Sequence, residues 1–136
     1  MQNIVIVLLL VLLAVLVVLA LASTALGLVV IGERQVGIVV KKFSNRALAP
    51  GHLIALNGEA GYQADTLAPG WHFFYWFWQY SVEKAPVVEI PQGEIGLLVA
   101  ADGRPIPSER ILGQVVACDD FQDARKFLTG GGEKGR

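Results

Sequence analysis

Two histidines invite a search for chemistry. His52 and His72 each follow a copy of the tetrad LAPG, at 48 to 51 and 67 to 70. A pair of imidazoles could begin a metal site, but zinc takes four ligands, and no clustered Cys, Asp or Glu stands near either histidine at ligand spacing. Both read as turn or strand residues. Asp119, Asp120 and Asp123 invite a cation, yet the Gly and terminal Glu of a calcium loop are absent, and helix capping accounts for them. Ser44, Ser81 and Ser108 lie outside any nucleophile elbow. Gly130 to Gly132 with Lys134 lacks the spacing of a phosphate loop. Cys118, the single cysteine, closes an apolar run and reads as a small buried residue, with palmitoylation the functional alternative. The sequence therefore predicts no catalytic residue, metal or cofactor.

The elements that surround these residues carry more information. All 11 basic and 12 acidic residues lie at or beyond Glu33, and the net charge of −1 points to neither a nucleic-acid-binding face nor an acidic tail. Residues 4 to 22, IVIVLLLVLLAVLVVLALA, contain no polar side chain. As a helix they span roughly 28 Å, close to the hydrocarbon thickness of a bilayer. Their Ile, Leu and Val side chains sum to roughly −5 to −10 kcal/mol on an insertion scale. The alternative is a secretory signal cleaved after Ala20-Leu21-Ala22, but no Lys or Arg precedes the run, and its length exceeds a signal core. The reading is a retained anchor over 1–31. Arg34, Lys41, Lys42 and Arg46 follow the span and nothing basic precedes it, which predicts a body facing the cytoplasm. Ser23 and Gly27 stand four apart, a weak helix-pairing signal.

Beyond the anchor the composition turns to strands. QVGIVVKKF (35–43) and HLIAL (52–56) precede the turn signals Ser44-Asn45 and Asn57-Gly58. PVVEI (86–90) and EIGLLVA (94–100) flank Pro91-Gln92-Gly93, and 111–118 offers one strand more. Each LAPG suits a type II turn with Gly at positive φ, opening onto a strand. ERQVGIVVK (33–41) is loosely echoed by QGEIGLLVA (92–100). A short helix near the C-terminus is capped by Asp119 or Asp120, carries Phe121, Ala124 and Leu128 on one face, and stops at Gly130 to Gly132. The fold class is α+β, a transmembrane helix followed by a mostly antiparallel β-rich body with a short C-terminal helix.

WHFFYWFWQY (71–80) is the most distinctive stretch. As a strand it puts Trp71, Phe73, Tyr75 and Phe77 on one face and Phe74, Trp76, Trp78 and Tyr80 on the other. Three readings stand: a two-faced core strand, a surface for stacking a base or ligand, and contact with the bilayer interface, where rings with polar tips are favoured. The neighbouring anchor favours lipid. The candidate membrane contacts are Trp71, Phe74, Trp76, Trp78 and Tyr80.

A single N-terminal span running into ERQVGIVVKKF, then LAPGWHF before an aromatic segment, then IPQGEIGLLVAADGRPIP, resembles the start of the SPFH or Band 7 domain of flotillin-like bacterial membrane proteins. The resemblance covers roughly residues 25 to 136. It implies a domain over 32–136 that lies against the membrane, assembles into homo-oligomers and gathers lipids and other membrane proteins, without catalysis. The heptad-rich coiled coil of that family is missing after GGGEKGR, so the chain reads as the N-terminal part of such a protein. Alternatives of other classes are a membrane-tethered small β-barrel that binds a ligand and a regulatory subunit of a membrane protease.

Overall fold

The computed structural model describes residues 2–135. Helix α1, Gln2–Ala25, takes up the apolar run. Its 24 residues give a rod of roughly 36 Å, enough to cross a hydrocarbon core of about 30 Å. Asn3–Ala25 is long and apolar enough to be a membrane span, and its most apolar stretch is nowhere buried. The helix stops six residues short of the predicted anchor boundary. Val29–Ile31, which the sequence assigned to the anchor, is strand β1.

Among the described residues, eight short strands make three open sheets. The main one has the order β3-β4-β2-β6, from β2 (Gln35–Lys41), β3 (Ile54–Ala55), β4 (Gly61–Leu67) and β6 (Tyr80–Pro86). β1 pairs with β5 (Gly70–His72), Val30 opposite Trp71. β7 (Arg104–Pro105) pairs with β8 (Glu133–Lys134). The long ladders, β2 with β4 and with β6, are antiparallel, while β3/β4 and β7/β8 are two-residue parallel bridges. The class is α+β, as read from the sequence.

The core sits where the β1/β5 ribbon lies over the main sheet. Ile31, Val39 and Leu67 are buried there, and Val29, Tyr75, Tyr80 and Val82 pack around them. Gly37 admits the crossing: a Cβ at that position would lie 2.9 Å from Ile31 Cδ1 and 3.0 Å from Leu67 Cβ. A side chain there would prise the ribbon from the sheet.

Several expected strands are absent. Of 71–80 only Trp71 and His72, in β5, and Tyr80, in β6, are extended in ladders; the chain between them turns, with Phe74 at φ 70°. The strand predicted over 86–90 ends at its first residue, Pro86; the Val87 amide still donates to the Arg34 carbonyl at 3.0 Å, and β2 offers no partner beyond it. Residues 94–100 and 111–118 form no strand, so the echo of 33–41 in 92–100 is not repeated in structure. Strand composition supplies no partner, and an unpaired edge is not a strand. Asn57-Gly58 does not close an antiparallel hairpin either, since β3 and β4 run parallel. The two LAPG copies diverge. The first closes a turn, with the His52 amide donating to Ala49 at 3.2 Å, whereas Gly70 of the second already belongs to β5.

The predicted helix is α2, Ala124–Thr129, and its cap is Asp123, whose side chain accepts the Lys126 amide at 2.9 Å. Asp119 and Asp120 do not cap it: they and Phe121 form a left-handed turn at φ 52°, 51° and 63°. That conformation costs roughly 1 to 2 kcal/mol per residue. Ion pairing of Asp119 with Lys126 and the Asp123 amide bond to Cys118 hold the turn in place.

Candidate functional site

The site is built from the end of α1 outward. A helix leaves its last four carbonyls without partners, and at a membrane boundary such groups are costly. Here each is satisfied. The Leu26 amide donates to Ala22, the Leu28 amide to Ser23 at 3.1 Å and the Gly27 amide to Thr24 at 3.2 Å. With Gly27 at φ 59°, the last two bonds form a Schellman cap. The fourth carbonyl, Ala25, accepts the indole N–H of Trp76 at 2.7 Å.

The next two carbonyls go to the same aromatic segment. Leu26 accepts the Phe74 amide at 2.8 Å and Gly27 the Tyr75 amide at 2.9 Å. Three consecutive carbonyls, Ala25 to Gly27, are thus bonded to three consecutive aromatic residues, Phe74 to Trp76. The approach is close enough that a Cβ on Gly27 would stand 2.7 Å from the Tyr75 nitrogen and 2.8 Å from that of Trp76. Gly27 therefore packs under the aromatic loop beyond the end of α1, and it does not form a helix-pairing face with Ser23.

This docking splits the aromatic segment in two. Tyr75 and Tyr80 turn inward, ring centroids 5.5 Å apart, against the core. Burial, reinforced by the neighbouring Tyr80 and Asp65, raises the Tyr75 phenol above its ordinary range, so it stays neutral. Trp71, Phe74, Phe77 and Trp78 turn outward and are 71%, 63%, 72% and 56% exposed. Trp76 stacks on Trp78 at 6.1 Å and meets Phe74 edge-on at 6.0 Å. So three of the five candidate residues, Phe74, Trp76 and Trp78, gather at the exit of α1, Trp71 stands exposed in β5 opposite Val30, and Tyr80 lies half-buried. Phe77, which the strand reading placed on the opposite face, joins the exposed group.

The histidines find separate partners. His72 Nε2 lies 2.8 Å from the Ala68 carbonyl. His52 Nδ1 lies 3.1 Å from Asp102 Oδ1, a contact the sequence did not announce. Asp102 is only 2% exposed, and it also accepts the amides of Leu53, Ile54 and Gly103 at 2.8, 2.9 and 2.7 Å. Burial alone would raise its pKa; the backbone bonds and His52 together outweigh that and hold it below the usual carboxylate range. The group ties the 102–103 loop to β3. Arg125 makes the second tie, reaching Asp65 of β4 through two nitrogens at 2.9 and 2.6 Å and the Leu56 carbonyl at 2.6 Å. Cys118 is buried. Among the described residues no three His, Cys, Asp or Glu side chains converge as metal ligands.

No protein-family model, curated protein or solved structure matches this chain.

Proposed function

We propose that this chain is a single-pass, membrane-anchored scaffold of the flotillin type, with a body akin to the SPFH domain that organises lipids and neighbouring membrane proteins. α1 crosses the bilayer, the exposed aromatics rest in the interface on the exit side, and the body gathers further copies and partners there. The observation that carries this reading is the bonding of Ala25, Leu26 and Gly27 to the aromatic loop. A ring set fixed to the last turn of a span occupies the depth at which Trp and Tyr are favoured. Four exposed aromatics beside a span have no comparable reason to face water. Arg34, Lys41, Lys42 and Arg46 on the same side favour the cytoplasm for the body.

The test is extraction of membranes carrying the full chain. The proposal requires a product that resists carbonate, retains the residues before Ser23 and migrates as oligomers in mild detergent. A product beginning at Ser23 overturns the anchor, and a solely monomeric product overturns the scaffold.

A further inference from the structure

Beside the aromatic loop a second feature opens. Between β1 and the free edge of β6 lies a cleft of about 400 Å³ whose lining includes Lys42, Lys84, Ser81, Tyr80, Phe77 and Val29. No carboxylate lines it, although the chain as a whole carries more acidic than basic residues. Lys42 is fixed there: its ammonium donates to the Phe77 carbonyl at 2.7 Å, which leaves two N–H groups for another acceptor. Lys84 stands on the exposed edge strand of the sheet. The other wall is β1, which starts four residues after α1 ends, so the cleft opens at the level where the chain leaves the span.

We propose that this cleft binds the phosphate of an anionic phospholipid, Lys42 and Lys84 meeting the charge, while Val29 and Phe77 flank the glycerol and upper acyl segment. The assignment rests on the membrane-anchored reading above, because that reading places the cleft at headgroup depth. Two ammonium groups without a competing acid favour an anion over a zwitterion, whose own cation would meet them. A juxtamembrane cation beside an anionic leaflet gives a preference of roughly fivefold. The partner is thereby narrowed from bilayer in general to acidic lipid in particular.

Of the three tryptophans of the chain, Trp76 and Trp78 lie in the adjoining loop and Trp71 in β5, which pairs with the β1 wall of the cleft, so intrinsic fluorescence reports this locality. The experiment uses the full chain reconstituted in phosphatidylcholine vesicles with a minor fraction of brominated lipid, either phosphatidylglycerol or phosphatidylcholine. The wild type is expected to be quenched several-fold more by the brominated acidic lipid. Lys84→Ala, which removes no hydrogen bond of the fold, is expected to lower that preference roughly fivefold at most. Lys84→Arg is expected to keep it, and Lys42→Ala with Lys84→Ala to bring it to unity while quenching by brominated phosphatidylcholine persists. Equal quenching of the wild type by both lipids overturns the headgroup site and leaves the anchored reading standing. Quenching by neither overturns the anchored reading itself. Loss of the preference on adding inorganic phosphate at equal ionic strength shows that the cleft takes free phosphate and overturns the lipid assignment.

Discussion

The indole of Trp76 donates to the carbonyl of Ala25 at 2.7 Å, joining residues 51 apart in sequence and fastening the aromatic loop to the last turn of the apolar helix. The bond performs two tasks. It satisfies a carbonyl that an emerging span would otherwise present to the boundary region, and it sets the depth of the surrounding rings relative to the helix.

Trp76→Phe keeps most of the ring and deletes the donor. The expected cost is about 1 to 2 kcal/mol, because Ala25 loses its partner. Thermal unfolding followed by circular dichroism in detergent measures it. Trp78→Phe, whose indole makes no such bond, is expected to change stability less.

At Gly27 two demands coincide. Its φ of 59° is unfavourable for other residues, and a Cβ would stand 2.7 Å from the Tyr75 nitrogen. Gly27→Ala is expected to cost roughly 1 to 2 kcal/mol from the backbone alone and to push the loop outward. Limited proteolysis reads the outcome as new cleavage between Ala25 and Gln35.

Asp102 makes stability depend on pH. Its pKa is lower in the fold than in the unfolded chain, so its contribution is complete above the ordinary value of about 3.9 and is lost as pH falls through the folded value. Urea midpoints should therefore drop steeply below pH 4 in the wild type and more gently in Asp102→Asn. Asp102→Ala is expected to cost roughly 2 to 4 kcal/mol at neutral pH, since three backbone amides and His52 lose their acceptor.

Gly37→Val tests the core. The added methyls meet Ile31, Leu67 and Val82 at distances that leave no room, and the expected loss is roughly 1 to 3 kcal/mol. Chemical denaturation compares it with Gly32→Val, at a position outside that crowding.

Legibility in the sequence followed physical range. α1 was plain because an uninterrupted apolar run needs no tertiary context, and β2 because four of the seven residues of QVGIVVK are β-branched. β4, GYQADTL, was invisible for a specific reason. Its buried residues Ala64 and Leu67 stand three apart, since β4 bulges between Tyr62 and Thr66, opposite Ile38 to Val40 of β2, and breaks the period of two. The aromatic stretch was misread as a strand because rings on every position carry no alternation to test. What settles its path is the set of carbonyls at Ala25 to Gly27, fifty residues away. The grouping of the aromatic residues was not legible: Tyr80 packs inward and Phe77 turns outward. Asp102 left no local trace beyond an Asp-Gly pair, because all but one of its hydrogen bonds reach residues 52 to 54.

The central claim is that the loop of Phe74 to Trp78 rests in the interface at the exit of α1. Depth-dependent quenching of tryptophan fluorescence in the reconstituted full chain tests it most directly. The account predicts strong quenching by lipids labelled near the headgroup, weaker quenching by lipids labelled near the chain terminus, and little by iodide in the buffer. Efficient quenching by iodide with none from either lipid would place these rings in water and contradict it.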